Sequence, residues 1–191
     1  MMDVFWAAPW PGLTIWAALY VSDYYLTIAC ARMYQRGARD LVRFEGSYEI
    51  TPYFQKDVDR LGLFSARFVF AMVVAAAVLV LVWWLSQRLR WPGAYTFLLG
   101  SMIGQELAIH VRHIRNFALF RAVLAGAGVQ GRIEYSRRRL LRLSATEFLA
   151  FSGVFAICTL VTGSAFVLGS AVGCLSVAVN HWRLARAVLE R

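Results

Sequence analysis

Five stretches of roughly twenty mostly apolar residues, at about 13–31, 64–85, 94–115, 143–161 and 164–182, constrain this chain more than any other feature. In hydrocarbon every backbone N–H and C=O must find its partner within the protein, and runs of this length do so as helices. The reading is an all-α, polytopic transmembrane helix bundle forming a single integral membrane domain over residues 1–191. A cytoplasmic loop follows the first span, and an interfacial helix follows the third. Composition agrees: 60% of residues are hydrophobic and only 16% charged, against about a quarter charged in soluble domains.

The net charge of +9 and pI of 10.1 would suit a nucleic-acid binder if the basic residues shared one exposed face. They fall instead in blocks between the spans, so no nucleic-acid partner is expected and the partners are membrane lipids. All but Arg88 and Arg90 of the 20 lysines and arginines lie in the segment after span one, the segment after span three, the span ends that border those segments, or the tail ending at Arg191. Positive residues stay on the cytoplasmic side, which places the chain in a cell inner membrane with its N-terminus outside and its C-terminus in the cytoplasm. The start, Met1-Met-Asp-Val-Phe-Trp, lacks the positive region of a secretory signal, so the first span is expected to be retained. Trp6, Trp10 and Trp16 form an interfacial belt at its beginning; Trp83, Trp84, Trp91 and the Pro92-Gly93 break mark a tight turn at the same interface.

Ionisable residues inside these spans are the candidates for chemistry, because a charge at membrane depth costs several kcal/mol unless it faces protein or water. In span three His110 and His113 stand roughly 40° and −20° from Glu106 on a helical wheel, so the three share one stripe. Gly100 and Gly104 lie on another side, suited to close helix packing, which makes this helix central. In span one Tyr20, Asp23, Tyr24 and Thr27 make a second polar stripe. Glu147 enters span four about one turn deep. In span five Gly169, Gly173, Ser176 and Asn180 make a close-packing stripe that brings Asn180 toward the core and leaves His181 as a headgroup contact.

Depth and facing together predict one cavity in the cytoplasmic half, formed by Asp23, Glu106, His110 and Glu147, with His113 and Asn180 at its edge. Histidines and buried carboxylates titrate near neutrality and can pass a proton. Glu106 and His110 are also suitable donors for a divalent metal, the candidate cofactor. A structural alternative has Arg112 or Arg115 neutralise Glu147. Cys30, Cys158 and Cys174 sit in separate spans without C-x-x-C spacing and read as small buried hydrophobes.

The polar segment 32–64 cannot span. Its residues 45–51 read as a turn or extended piece, Pro52 starts a short helix, and Phe44, Tyr48, Tyr53 and Phe54 predict that 45–59 packs on the cytoplasmic mouth. The basic run 131–142 fixes topology and touches anionic lipid. The leading function is a small transporter, channel or membrane subunit, alone, as a homo-oligomer or within a larger membrane complex, that handles a proton or small cation. The alternative is a membrane-embedded, metal-dependent enzyme acting on a lipid or isoprenoid at the cytoplasmic leaflet.

Overall fold

The structure, a computed structural model, describes residues 7–126 and 131–188. Expectations for Trp6 and for Arg191 lie outside these residues. The fold is dominated by five long helices: α1 (Trp10–Met33), α2 (Ala66–Arg88), α3 (Pro92–Leu124), α4 (Arg137–Thr162) and α5 (Ala165–Ala187). Prolines open α1 and α3 in the first turn, where a missing N–H goes unused. Ser65 and Ser136 cap α2 and α4 by accepting the N–H of Phe68 and Arg139, both at 3.2 Å. Gly163, at φ 61°, ends α4 in the left-handed conformation and turns the chain into α5.

Four of these helices, α1 with its continuation to Leu41, α2, α4 and α5, are long and apolar enough to cross a bilayer. The chain is therefore a multi-pass membrane protein. Along α3 the apolar run is interrupted by Glu106, His110, Arg112, His113 and Arg115.

Helix α3 is the axis of the bundle. On one side it meets α5 so closely that neither helix has room for side chains at the contact. A Cβ on Gly100 would stand 1.9 Å from the Phe166 carbonyl oxygen, and one on Gly169 would stand 1.9 Å from that of Phe97. Gly104 and Gly173 extend the same seam against Ser170 and Ser101. The Ser170 hydroxyl donates to the Gly100 carbonyl at 2.8 Å, so the approach that glycine permits is also hydrogen-bonded. On its other side α3 packs on α1 and α2 through Trp16, Leu79, Tyr95, Leu99 and Ile103. Helix α4 lies on α5, where the Ser152 hydroxyl donates to the Ala171 carbonyl at 2.9 Å. The glycine spacing thus does what the sequence implied for span three.

The expected interfacial helix after Asn116 does not branch off. Helix α3 continues for 33 residues, about 50 Å at 1.5 Å per residue. Nothing in its sequence breaks it before Gly126, and Phe120 packs with Tyr34 and Val123 beyond the polar stripe. The partners come from the segment after α1. A π-helical turn (Tyr34–Ala38) bends at Gly37, whose φ of 150° suits only glycine, and leads through Arg39–Leu41 into strand β1 (Val42–Phe44). Strand β1 pairs in parallel with β2 (Ile133–Tyr135), Arg43 opposite Glu134. Glu45 then accepts the backbone N–H of Arg137 at 2.9 Å, a carboxylate at the positive end of α4, while the Arg137 guanidinium donates to the Ile50 carbonyl at 3.1 Å. Further on, the short helix Gln55–Asp59 buries Val58, and the Tyr24 hydroxyl of α1 donates to the Gly62 carbonyl at 2.7 Å. Residues 42–62 form a cap packed on one end of the bundle.

The α3–α5 seam yields the first prediction. Gly100→Leu should lower the thermal unfolding midpoint in detergent, with a loss of about 1–3 kcal/mol or more from overpacking. Gly153→Leu, on a face of α4 with open space around it, should leave the midpoint within error. Equal midpoints for the two variants would refute the seam.

Candidate functional site

Helices α1 and α3 run parallel and bring their polar stripes face to face. Gly12 packs on Leu99, Ser22 meets His110 and Thr27 meets His113, in increasing order along both helices. His113 Nε2 stands 2.8 Å from Asp23 Oδ1 and 3.1 Å from Thr27 Oγ1. The contact with Asp23 is close but is not a directed hydrogen bond, since Oδ1 has no hydrogen-bond partner. His113 is only 4% exposed, and its Nδ1 is buried without a partner. One turn earlier, Ser22 Oγ lies 2.6 Å from His110 Nε2, and His110 Nδ1 lies 2.7 Å from the Glu106 carbonyl oxygen. Glu106 itself is 7% exposed with Oε2 unpartnered, and Asp23 is within electrostatic reach of it. Two carboxylates and two histidines therefore share one helix interface. Buried polar atoms without partners are costly in a native structure unless a proton, water or ion serves them.

This differs from the expected cavity in three ways. His113, expected at the edge, takes the contact with Asp23, while His110 is matched to Ser22 because the α1–α3 register sets it there. Glu147 faces another way: it pairs with Arg115 and lines a cavity of about 470 Å³ beneath the cap, together with Tyr48, Glu49, Arg112 and His113. Asn180 is exposed, whereas its neighbour His181 is buried with Nδ1 3.0 Å from Ser144 Oγ. The buried face of α5 centres on Ser170, Cys174, Ala178 and His181, so Asn180 is turned about 100° away from its neighbour. Sequence reasoning also passed over Ser22, which lies off the Tyr20/Asp23/Tyr24 stripe and whose role is visible only once His110 is opposite it.

The cap cavity is where this interface meets the protein surface. His113 lines it on one side and touches Asp23 on the other. Arg112 is held by Ser144 at 2.8 Å and lies over the Phe148 ring at 5.7 Å. The Tyr48 hydroxyl accepts from Asn116 Nδ2 at 3.4 Å, and burial pushes its pKa well above the ordinary tyrosine range, so it stays a neutral phenol. In the opposite direction the interface becomes mainly apolar, through Trp16, Tyr95, Leu99 and Ile103. No group of three or more His, Cys, Asp and Glu among the described residues is arranged to hold a metal, so the Glu106–His110 pair is not completed into a metal centre. Comparison with protein-family models, curated proteins and solved structures gave no match, and the roles assigned below rest on this geometry.

A thermodynamic cycle tests the central contact. Asp23→Asn and His113→Gln should each destabilise the protein by on the order of 2 kcal/mol, and the double variant should lose less than the two losses added, by a coupling of about 0.5–3 kcal/mol. Strict additivity of the unfolding energies would show that the two side chains do not act on each other.

Proposed function

We propose that this protein is a small membrane transporter, channel or membrane subunit that binds a proton or small cation between α1 and α3, entered through the cavity under the cap. The observation that carries this reading is the buried Asp23–His113 contact at 2.8 Å, open to the cavity through His113 and followed inward by Glu106 with an unpartnered carboxylate oxygen. A histidine and a carboxylate this close can hand a proton on once the ring turns an N–H toward the carboxylate. Intramembrane carboxylates that face protein rather than lipid mark ion and proton paths. Glu147, paired with Arg115, keeps the cavity mouth neutral.

In this reading α3 is a fifth span. It lies parallel to and in contact with α1 and α5, both apolar enough to cross, and a tight turn joins it to α2. Glu106 and His113 lower its hydropathy without facing lipid, since both are covered by protein. Five spans put the cap, the 131–142 run and the tail on one side with nearly all the lysines and arginines, and the positive-inside rule makes that side the cytoplasm. The polar path then reaches only from the cytoplasm to Glu106. Completing it requires a conformational change or a second copy of this chain.

Purified protein in liposomes containing a pH-sensitive dye should collapse an imposed proton gradient faster than protein-free liposomes. Asp23→Asn and Glu106→Gln should abolish most of that excess rate while still inserting. A wild-type rate equal to that of empty liposomes, or variants as fast as wild type, would sink the proposal.

A further inference from the structure

We propose that Ser22 is an activated nucleophile that accepts an acyl group from an ester-linked membrane lipid, with His110 as its general base. This goes beyond the proton reading and rests on different atoms. Ser22 Oγ lies 2.6 Å from His110 Nε2. The other ring nitrogen, Nδ1, lies 2.7 Å from the Glu106 carbonyl oxygen, which has no proton to give, so Nδ1 must carry the hydrogen. In the neutral ring Nε2 then presents its lone pair to the serine hydroxyl. A backbone carbonyl fixes the tautomer and orientation of the base, the task a carboxylate performs in other serine nucleophile sites.

The hydroxyl also lies 2.9 Å from the Leu19 carbonyl, the back-bond that a serine inside a helix usually makes. One hydroxyl proton cannot serve both acceptors, and the shorter contact is to the imidazole. The side chain is also reachable. Ser22 lines an apolar groove of about 950 Å³ with Ala18, Val21, Tyr25, Leu26 and Met72, on the flank of α1. In a multi-pass membrane protein such a flank faces acyl chains, which is what selects a lipid ester as the substrate class over a water-soluble one.

The reaction needs only the ester and water. As Ser22 Oγ bonds to the ester carbonyl carbon, its proton passes to His110 Nε2. Collapse of the tetrahedral intermediate breaks the ester C–O bond, and the imidazolium returns the proton to the departing alcohol. Water then attacks the acyl-serine with His110 again taking the proton, the fatty acid leaves, and the Ser22 hydroxyl is restored.

The test is covalent labelling of the full chain in lipid nanodiscs with an alkyl fluorophosphonate, which forms an Oγ–phosphorus bond and expels fluoride only at an activated hydroxyl. Mass mapping of the wild-type protein should place the adduct on Ser22. Ser22→Ala should remove it, and His110→Gln should slow its formation by about 100-fold or more, the usual contribution of a general base. Because the adduct is located on wild-type protein, misfolding of a variant cannot imitate the result. Absence of any adduct, an adduct on another residue, or His110→Gln reacting at the wild-type rate would overturn the assignment. Labelling requires no gradient, so the two proposals fail separately: protein that labels at Ser22 but moves no protons retains this inference and loses the proposed function, and the reverse pattern does the opposite.

Discussion

The contact between α3 and α5 is the constraint on which the rest of the structure depends. At Gly100 and Gly169 backbone lies against backbone, and no other residue fits without displacing a main chain. Lipid supplies no hydrophobic drive for one apolar helix to prefer another, so contact area, hydrogen bonds such as Ser170 to Gly100, and the absence of Cβ atoms must hold the pair. Fixing α3 on this side fixes its rotation. The Glu106, His110 and His113 stripe then faces α1, which meets it with Ser22, Asp23 and Thr27. Packing on one face thus sets the electrostatics of the other.

The cap follows from the same axis. Because α3 does not stop at Asn116, it stands beyond the polar stripe and offers Phe120 and Val123 as a platform. Tyr34, Phe44 and Tyr48 settle on it, with Tyr34 and Tyr48 ring centroids each about 6 Å from that of Phe120. The short β1–β2 pairing and the Glu45 contact with the start of α4 tie the segment after α1 to the segment before α4. The cavity beneath is walled by both.

Much of this was legible in the sequence, for identifiable reasons. Apolar length reveals a helix because lipid permits little else, and the Glu106/His110/His113 stripe could be drawn because helical periodicity is local. The aromatic content of 44–54 announced a packed cap for the same local reason. What could not be read is register and azimuth. That Asp23 meets His113 while Ser22 meets His110 is decided by how α1 slides along α3, with Gly12 set against Leu99. Glu147 shows the limit of a depth argument: height follows from residue count, but α4 packs mainly on α5, and the carboxylate reaches Arg115 under the cap. Asn180 shows the limit of a small-residue stripe. Its glycine edge is covered by α3 at Gly169 and Gly173 but is open about two turns further on, where His181 takes the buried place.

The asymmetry of the α1–α3 interface gives the site its physical character. Between the cap cavity and Glu106, polar groups on the two helices succeed one another at contact distance: His113 with Asp23 and Thr27, then His110 with Ser22. Beyond Glu106 the same two helices are joined by the mainly apolar cluster of Trp16, Tyr95, Leu99 and Ile103, in which the Tyr95 hydroxyl is already engaged with the Pro9 carbonyl. The run of closely spaced polar groups therefore ends at Glu106, inside the bundle and not at either surface. Under the proposed function such a site would exchange its ion from the cap side until the apolar cluster opens, and that cluster lies where Gly12 packs on Leu99. Any motion that opens it must slide or rotate α1 on α3, and that same motion would part Asp23 from His113 and Ser22 from His110.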